Sequence, residues 1–200
     1  MESFFEKYKV TSTLVNTIID KETFINEYGN NNFLYNVIVN YGGNIYNNGL
    51  LKIHTFDYVK KWTSLLAEYF KEEVKPFNMC CFASNWQGNM CCIDKNNKRI
   101  SYFDPATCEI FSADISIEQF FNKTLTDGEY DIIFEEYFNE AYKYMKIKTL
   151  NYENSVGHKQ YLHLGGEDDV SNFEITNTEV LWELQMQVCE KINKIGDNDG

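Results

Sequence analysis

Six cysteines and three histidines are the residues of this chain whose types most invite chemistry. Four of the thiols form two adjacent pairs, Cys80-Cys81 and Cys91-Cys92, and the imidazoles are His54, His158 and His163. Such groups can hold zinc, or can pair as nucleophile and base. Structural zinc commonly takes Cys-x2–4-Cys spacing, because its ligands must converge on one tetrahedral centre. Adjacent residues of a strand point to opposite faces, so CC-x9-CC splits its thiols between core and surface. A two-residue hairpin loop at Trp86-Gln87 sets Cys81 opposite Cys92 and Phe82 opposite Cys91. Small buried hydrophobes are the expected identity of these cysteines. No histidine stands at a recognised spacing from a cysteine. His158 and His163 alternate with apolar residues in HKQYLHL, the pattern of a half-buried strand. G-x-S-x-G, the P-loop and G-x-G-x-x-G are all absent. No catalytic residue, metal ligand or cofactor is expected, and the chain is not read as an enzyme.

The acids are distributed less evenly. Tyr161 to Glu190 carries seven carboxylates and no Lys or Arg, out of a net charge of −12 for the whole chain. Charge segregated in this way repels nucleic acid and favours a basic partner. A solvated acidic face is the other reading. Glu167-Asp168-Asp169 could hold a hard cation, but it lacks the alternation of an EF-hand loop, and acids beside Gly165-Gly166 repel phosphate. A tight turn held by the two glycines is the expectation there. Glu135, Glu136 and Glu140 form a second acidic group on a helix, where periodicity puts them on a solvated face. If a partner docks, Glu167, Asp168, Asp169 and Glu174 are the first expected contacts, with Glu135, Glu136 and Glu140 as the second patch.

Composition narrows the classes. Apolar residues make up 44% of the 200, enough for a real core in one domain or two tightly joined halves. Arg99 is the sole arginine, and arginine is the main tool for bidentate phosphate and guanine recognition. Neither a nucleic-acid nor a membrane partner is expected. MESFFEKYKV has acids and no apolar stretch of signal-peptide length, and no run approaches the ~18 apolar residues of a membrane span. The expected compartment is the cytoplasm, where all six cysteines would be reduced.

The elements that must position these residues follow from periodicity and breakers. Thr13 to Tyr28 reads as a helix with Leu14, Ile18 and Ile25 on its apolar positions and Gly29 as C-cap. Phe33 to Tyr41 fits either a helical turn or a strand. Turns at Gly42-Gly43 and Asn47-Asn48-Gly49 flank strand candidates Ile45-Tyr46 and Leu50 to His54. Asp57 to Val74 is an amphipathic helix that Pro76 ends. Met79 to Ala83, Met90 to Asp94, Arg99 to Phe103 and Glu109 to Ala113 form a meander. Ser116 with Gln119, and Thr176 with Glu179, have capping-box spacing and mark two helix starts. The first helix runs to Leu125 and breaks at Asp127-Gly128. Another spans Asp131 to Met145. In the last, Val180, Leu184, Val188 and Ile192 recur at fourfold spacing, ahead of a frayed tail. Trp62, Trp86 and Trp182 belong in the core. Helices and strands in separate blocks give an α+β fold, an antiparallel meander flanked by about five helices, packed as one unit.

The order of motifs resembles a known family. NIYNNGLLKIHTFDYVKKW, Asn44 to Trp62, is similar to the GAD-related N-terminal region of bacterial immunity proteins, where a Y-x-N/D-G-L turn precedes Y-x-x-x-W. NWQGNMCCID, YFDPATCEIF and IEQFF, then VGHKQYLHLGGEDDVSNFEITNTEVLW, resemble the C-terminal domain of immunity proteins paired with type VI secretion DNase toxins. Gln160-Tyr161, His163 and Asn177 depart from that pattern. The resemblance spans roughly residues 20 to 190, with 1–75 matching the first region and 76–195 the second. It implies a protein that binds and neutralises a cognate toxin by occlusion, with no catalytic residues. A regulatory interaction module and a Cys/His-dependent enzyme are the alternatives.

Overall fold

The computed structural model describes residues 4–17, 19–71, 79–127 and 132–196. Ile18, Val74, Pro76, Gly128, Asp131 and the expected frayed residues 197–200 lie outside them. Seven antiparallel strands form one sheet in chain order: β1 (Val10–Thr13), β2 (Asn44–Tyr46), β3 (Leu51–Ile53), β4 (Met79–Asn85), β5 (Met90–Asp94), β6 (Ile100–Asp104) and β7 (Glu109–Ala113). A separate hairpin joins β8 (Asn154–His158) to β9 (Phe173–Asn177). The helices are α1 (Phe4–Lys7), α2 (Lys21–Tyr28), α3 (Asn32–Tyr41), α4 (Phe56–Tyr69), α5 (Ile117–Gln119), α6 (Leu125–Asp127), α7 (Glu135–Met145) and α8 (Thr178–Gly196). Five of these have eight or more residues. The α+β fold is therefore as expected, and β3 pairs with β4 so that one sheet runs through both halves of the sequence.

Both faces of the sheet are covered, and this decides the fate of the cysteines. Cys80, Cys91 and Ile93 point to a core shared with α1, α2, α3 and α7. Cys81, Cys92, Met79 and Met90 point the other way, onto Trp62 and Leu66 of α4 and Trp182 and Met186 of α8. All four thiols are buried, so the expected split between core and surface gives way to a split between two cores. Cys81 does oppose Cys92, but a bulge at Phe82 sets Ala83 opposite Cys91. The extra residue tucks Phe82 against Phe120 and Phe121 instead of into the ladder. The three tryptophans are core residues, each at most 2% exposed.

Local chemistry explains where helices begin. The Asp20 carboxylate accepts from the Thr23 amide at 2.9 Å, so α2 starts there and not at Thr13, which pairs with Asn44 in the sheet. Leu14, expected on the helix's apolar side, is exposed. Gly29 caps α2 as expected, and Asn31 caps α3, settling Phe33 to Tyr41 as helix. The Ser116–Gln119 capping box forms, but α5 passes at once into a π turn over 120–124. The second box does not form. Thr176 pairs in β9, and Asn177 Oδ1 takes the amides of Glu179 and Val180 at 3.0 and 3.3 Å. The buried face of α8 is Leu181, Trp182, Gln185, Met186 and Cys189, while Val180 and Leu184 are exposed. The buried rows are 181/185/189 and 182/186, one and two positions on, so the row 180/184 is turned about 100° or more away from the contact face. Helix α7 begins at Glu135, after Phe134 in the left-handed region at φ 49°.

Candidate functional site

The turn Asn85–Asn89 organises the region where the acidic segments meet. Asn85 Oδ1 accepts from the amides of Gln87 and Asn89, both at 3.0 Å. Asn85 and Asn89 each donate a side-chain N–H to Tyr102 Oη, at 2.7 and 2.5 Å, and that hydroxyl donates to the Ile132 carbonyl. Trp86 Nε1 donates to the Ile133 carbonyl at 3.0 Å, and the Val156 amide donates to the Trp86 carbonyl at 2.9 Å. Trp182 Nε1 donates to the Gly88 carbonyl at 2.8 Å. One turn thus fixes the approach to α7, strand β8 and helix α8.

These elements enclose a cavity of about 110 Å³. Its walls include Asn89, Asp104 at the end of β6, Tyr137 on α7, His158 at the end of β8, Asp168 and Gln185 on α8. The Asp168 carboxylate accepts from Tyr137 Oη at 3.2 Å and lies 3.1 Å from His158 Nε2 through the same oxygen. His158 is 4% exposed, whereas the Asp168 side chain is 58% exposed and forms the solvent side of the site. Burial pushes the Asp104 carboxyl up, against the pull of the Ala106 and Thr107 amides and of nearby His158. Gln185 is fully buried, and neither its Oε1 nor its Nε2 has a hydrogen-bond partner. An unanswered buried polar atom costs about 1–3 kcal/mol, so this side chain is a cost to the fold as it stands.

Of the expected contact residues, Asp168 lines the cavity, and Asp169 and Glu140 lie near Tyr137 in its wall. Glu167 and Asp169 are exposed on the loop before β9; Asp169 holds its turn by accepting from the Ser171 amide at 2.8 Å, and the Ser171 hydroxyl first, then that amide, lowers its carboxyl. Gly165 turns at φ +82°, and a Cβ on Gly166 would lie 1.9 Å from the Gln160 carbonyl oxygen, so the double glycine is a turn requirement. Glu136 and Glu140 are exposed on α7. The Tyr137 hydroxyl is raised first by burial, then by the charges of Asp168, Asp169 and Glu140. Asp168 and Asp169 of the loop and Glu140 of α7 therefore share one acidic face around Tyr137. Glu174 is exposed on β9, where its charge raises Tyr161 after burial does. Glu135 is a correction: partly buried, it accepts from Tyr8 Oη at 2.6 Å and lies 3.9 Å from Lys7 Nζ, so it ties α7 to the N-terminal segment.

The thiols and imidazoles sort differently from expectation. His163 lies in an exposed 3-10 turn, Leu162–Leu164, and not in a strand, while His158 does end one. Cys81 Sγ lies 3.8 Å from His54 Nδ1, but burial drives the thiol well up and the imidazole down to about 3. Both stay neutral, which is the opposite of an activated thiolate. Cys108 and Cys189 are joined by a disulfide across 81 residues, so these two are not reduced thiols. Their sulfurs and a His163 ring nitrogen lie within 4.8 Å of one another, the one such three-ligand group among the described residues. In the bonded form those sulfurs are not the thiolates a metal requires.

The cavity itself went unread in the sequence. Asp104 lies one residue past the strand expected over 99–103, and Tyr137 lies within the helix expected over 131–145. The one available signal was Gln185, a polar residue within the apolar face of LWELQMQV.

No protein-family model and no curated protein matches the chain. Among solved structures, it is similar to Atu4351 from Agrobacterium tumefaciens, with a TM-score of 0.64 and 14% identity over 90% of this chain and 86% of that one. That likeness establishes a shared fold. Among the described residues, no helix is long and apolar enough to cross a membrane.

Proposed function

We propose that this chain is an immunity protein that binds a secreted antibacterial toxin and neutralises it by covering its active or substrate-binding surface. The toxin is a nuclease delivered by type VI secretion, as the resemblance of the motif order implies. The observation that carries this reading is the convergence of Asp168 and Asp169 with Glu140, around Tyr137, on one face. A nuclease must attract phosphate and so exposes a basic surface. An acidic face on a protein of net charge −12 complements it, speeds capture and disfavours wrong partners. The buried and neutral state of Cys81 and His54 gives no support to a thiol enzyme at that pair.

The test is survival of cells expressing the product of the adjacent toxin gene, with and without this chain. Protection is expected, together with a co-purified complex that dissociates in high salt. Equal killing in both cultures overturns the reading.

A further inference from the structure

The cavity contains two carboxylates, Asp104 and Asp168, and no lysine or arginine among its lining residues. It also contains the fully buried Gln185 amide, whose carbonyl oxygen has nothing to accept. Buried polar groups in native proteins are overwhelmingly hydrogen-bonded, so an orphaned amide aimed into a negatively lined cavity signals an absent partner. The aromatic rings of Phe134 and Tyr137 stand in the same wall and add faces on which a flat or compact cation can rest. The opening is on the acidic side, since Asp168 is both a lining residue and exposed.

We propose that this cavity binds the guanidinium or ammonium end of a cationic group, held by Asp104, Asp168 and Gln185 Oε1. An N–H-rich cation supplies several donors where the cavity offers acceptors, and a bridging water satisfies Gln185 Nε2. Two sources share this chemistry, a side chain of the toxin and a free small amine. The first source rests on the function proposed above; the cation chemistry rests on the cavity alone. With a toxin side chain as occupant, the cavity is the anchor of the interface and the exposed acids around it steer the approach. This matches the usual division between a few desolvated central residues and a solvated rim.

The experiment uses the intact chain and follows the side-chain amide resonance of Gln185 by NMR. The titrants are agmatine, a capped Gly-Gly-Arg-Gly-Gly peptide, and tetramethylammonium at equal ionic strength. The last carries the single positive charge of the capped peptide without N–H donors, whereas agmatine carries two charges. A saturable shift with agmatine or peptide, and none with tetramethylammonium, is expected. Asp168→Asn, at an exposed position where folding is not at risk, should weaken the interaction at least tenfold, and so should Gln185→Met, followed through the side-chain amide of Asn89 in the same wall. Tighter binding of the peptide assigns the cavity to a side chain, and tighter binding of agmatine assigns it to a free amine. No saturable shift, or an equal shift with tetramethylammonium, overturns the proposal. Cation binding without toxin neutralisation removes the proposed function and leaves the cavity; neutralisation without cation binding does the reverse.

Discussion

Two buried polar regions of this protein, a few residues apart along β8, are built on opposite principles. Around β3, every polar group named here is answered from within. Lys52 Nζ donates to the Asn154 carbonyl, and His54 Nδ1 lies 3.1 Å from the Cys81 carbonyl. Tyr152 Oη donates to the Ile53 carbonyl at 2.8 Å and accepts from the Thr55 amide at 3.0 Å. Around Gln185 the amide is unanswered, carboxylates line the space, and the cavity opens on solvent. Burial is equally complete for His54, Lys52 and Gln185, so burial alone does not separate structure from function. Partner satisfaction does. A closed polar cluster rigidifies the sheet, whereas an open one retains binding capacity at a cost in stability.

Mutation distinguishes the two regions, and the largest effect should come from the residue that joins them. Trp86 is fully buried, rests on Tyr137, Phe138 and Phe173, and ties β8 to the main sheet. Trp86→Ala should lose about 3–5 kcal/mol in urea denaturation, and a loss below 1 kcal/mol would mean the turn is not the joint. The next effect depends on pH. Burial lowers Lys52 to about 7 from 10.5, so between those values the unfolded chain binds more protons than the folded one, and stability rises with pH. Below pH 7 both states are charged and the full cost of burial remains. Lys52→Met should therefore be the more stable protein at pH 7, with its advantage shrinking by on the order of 3 kcal/mol by pH 10. A constant difference across that window would place the ammonium in water.

Smaller effects separate the clusters most cleanly. Tyr152→Phe removes one hydroxyl and leaves the buried Thr55 amide without its acceptor, while the Ile53 carbonyl keeps the Gly43 amide, and should cost about 1–3 kcal/mol by thermal denaturation. Gln185→Met removes two polar atoms that have no partner. It should be neutral or stabilising by up to about 1 kcal/mol while weakening capture of the toxin. If Gln185→Met destabilised as much as Tyr152→Phe, the two regions would not differ in kind.

What could be read in the sequence follows the range of the interactions. Strand positions and the Ser116 box depend on neighbours a few residues away, and these matched closely. The acidic loop was legible as an exposed charged segment because charge density is a local property of Tyr161 to Glu190. The register of α8 was not, because Val180 and Leu181 are both apolar and only packing against Gly88 and Gly157 chooses between them. Nor was the cavity, whose polar walls come from positions 104, 137, 158, 168 and 185 and meet only after folding. The Cys108–Cys189 bond has the same origin, a contact across 81 residues that no spacing rule encodes. Glu135 misled because its periodicity is that of a surface residue, while the N-terminal segment that covers it lies more than a hundred residues away.

The central claim is that the face around Asp168 captures a basic toxin by charge. Its most direct test is the association rate constant of the toxin with the unmodified chain and with Asp168→Lys combined with Asp169→Lys, measured by stopped flow at low and high salt. Steered association is faster by roughly 10 to 10³-fold than unsteered association and falls steeply with ionic strength. The double reversal should slow association at least tenfold at low salt, and the two proteins should converge as salt rises. Equal rates at low salt would mean that this acidic face is only solvated and that the toxin, if bound at all, docks elsewhere.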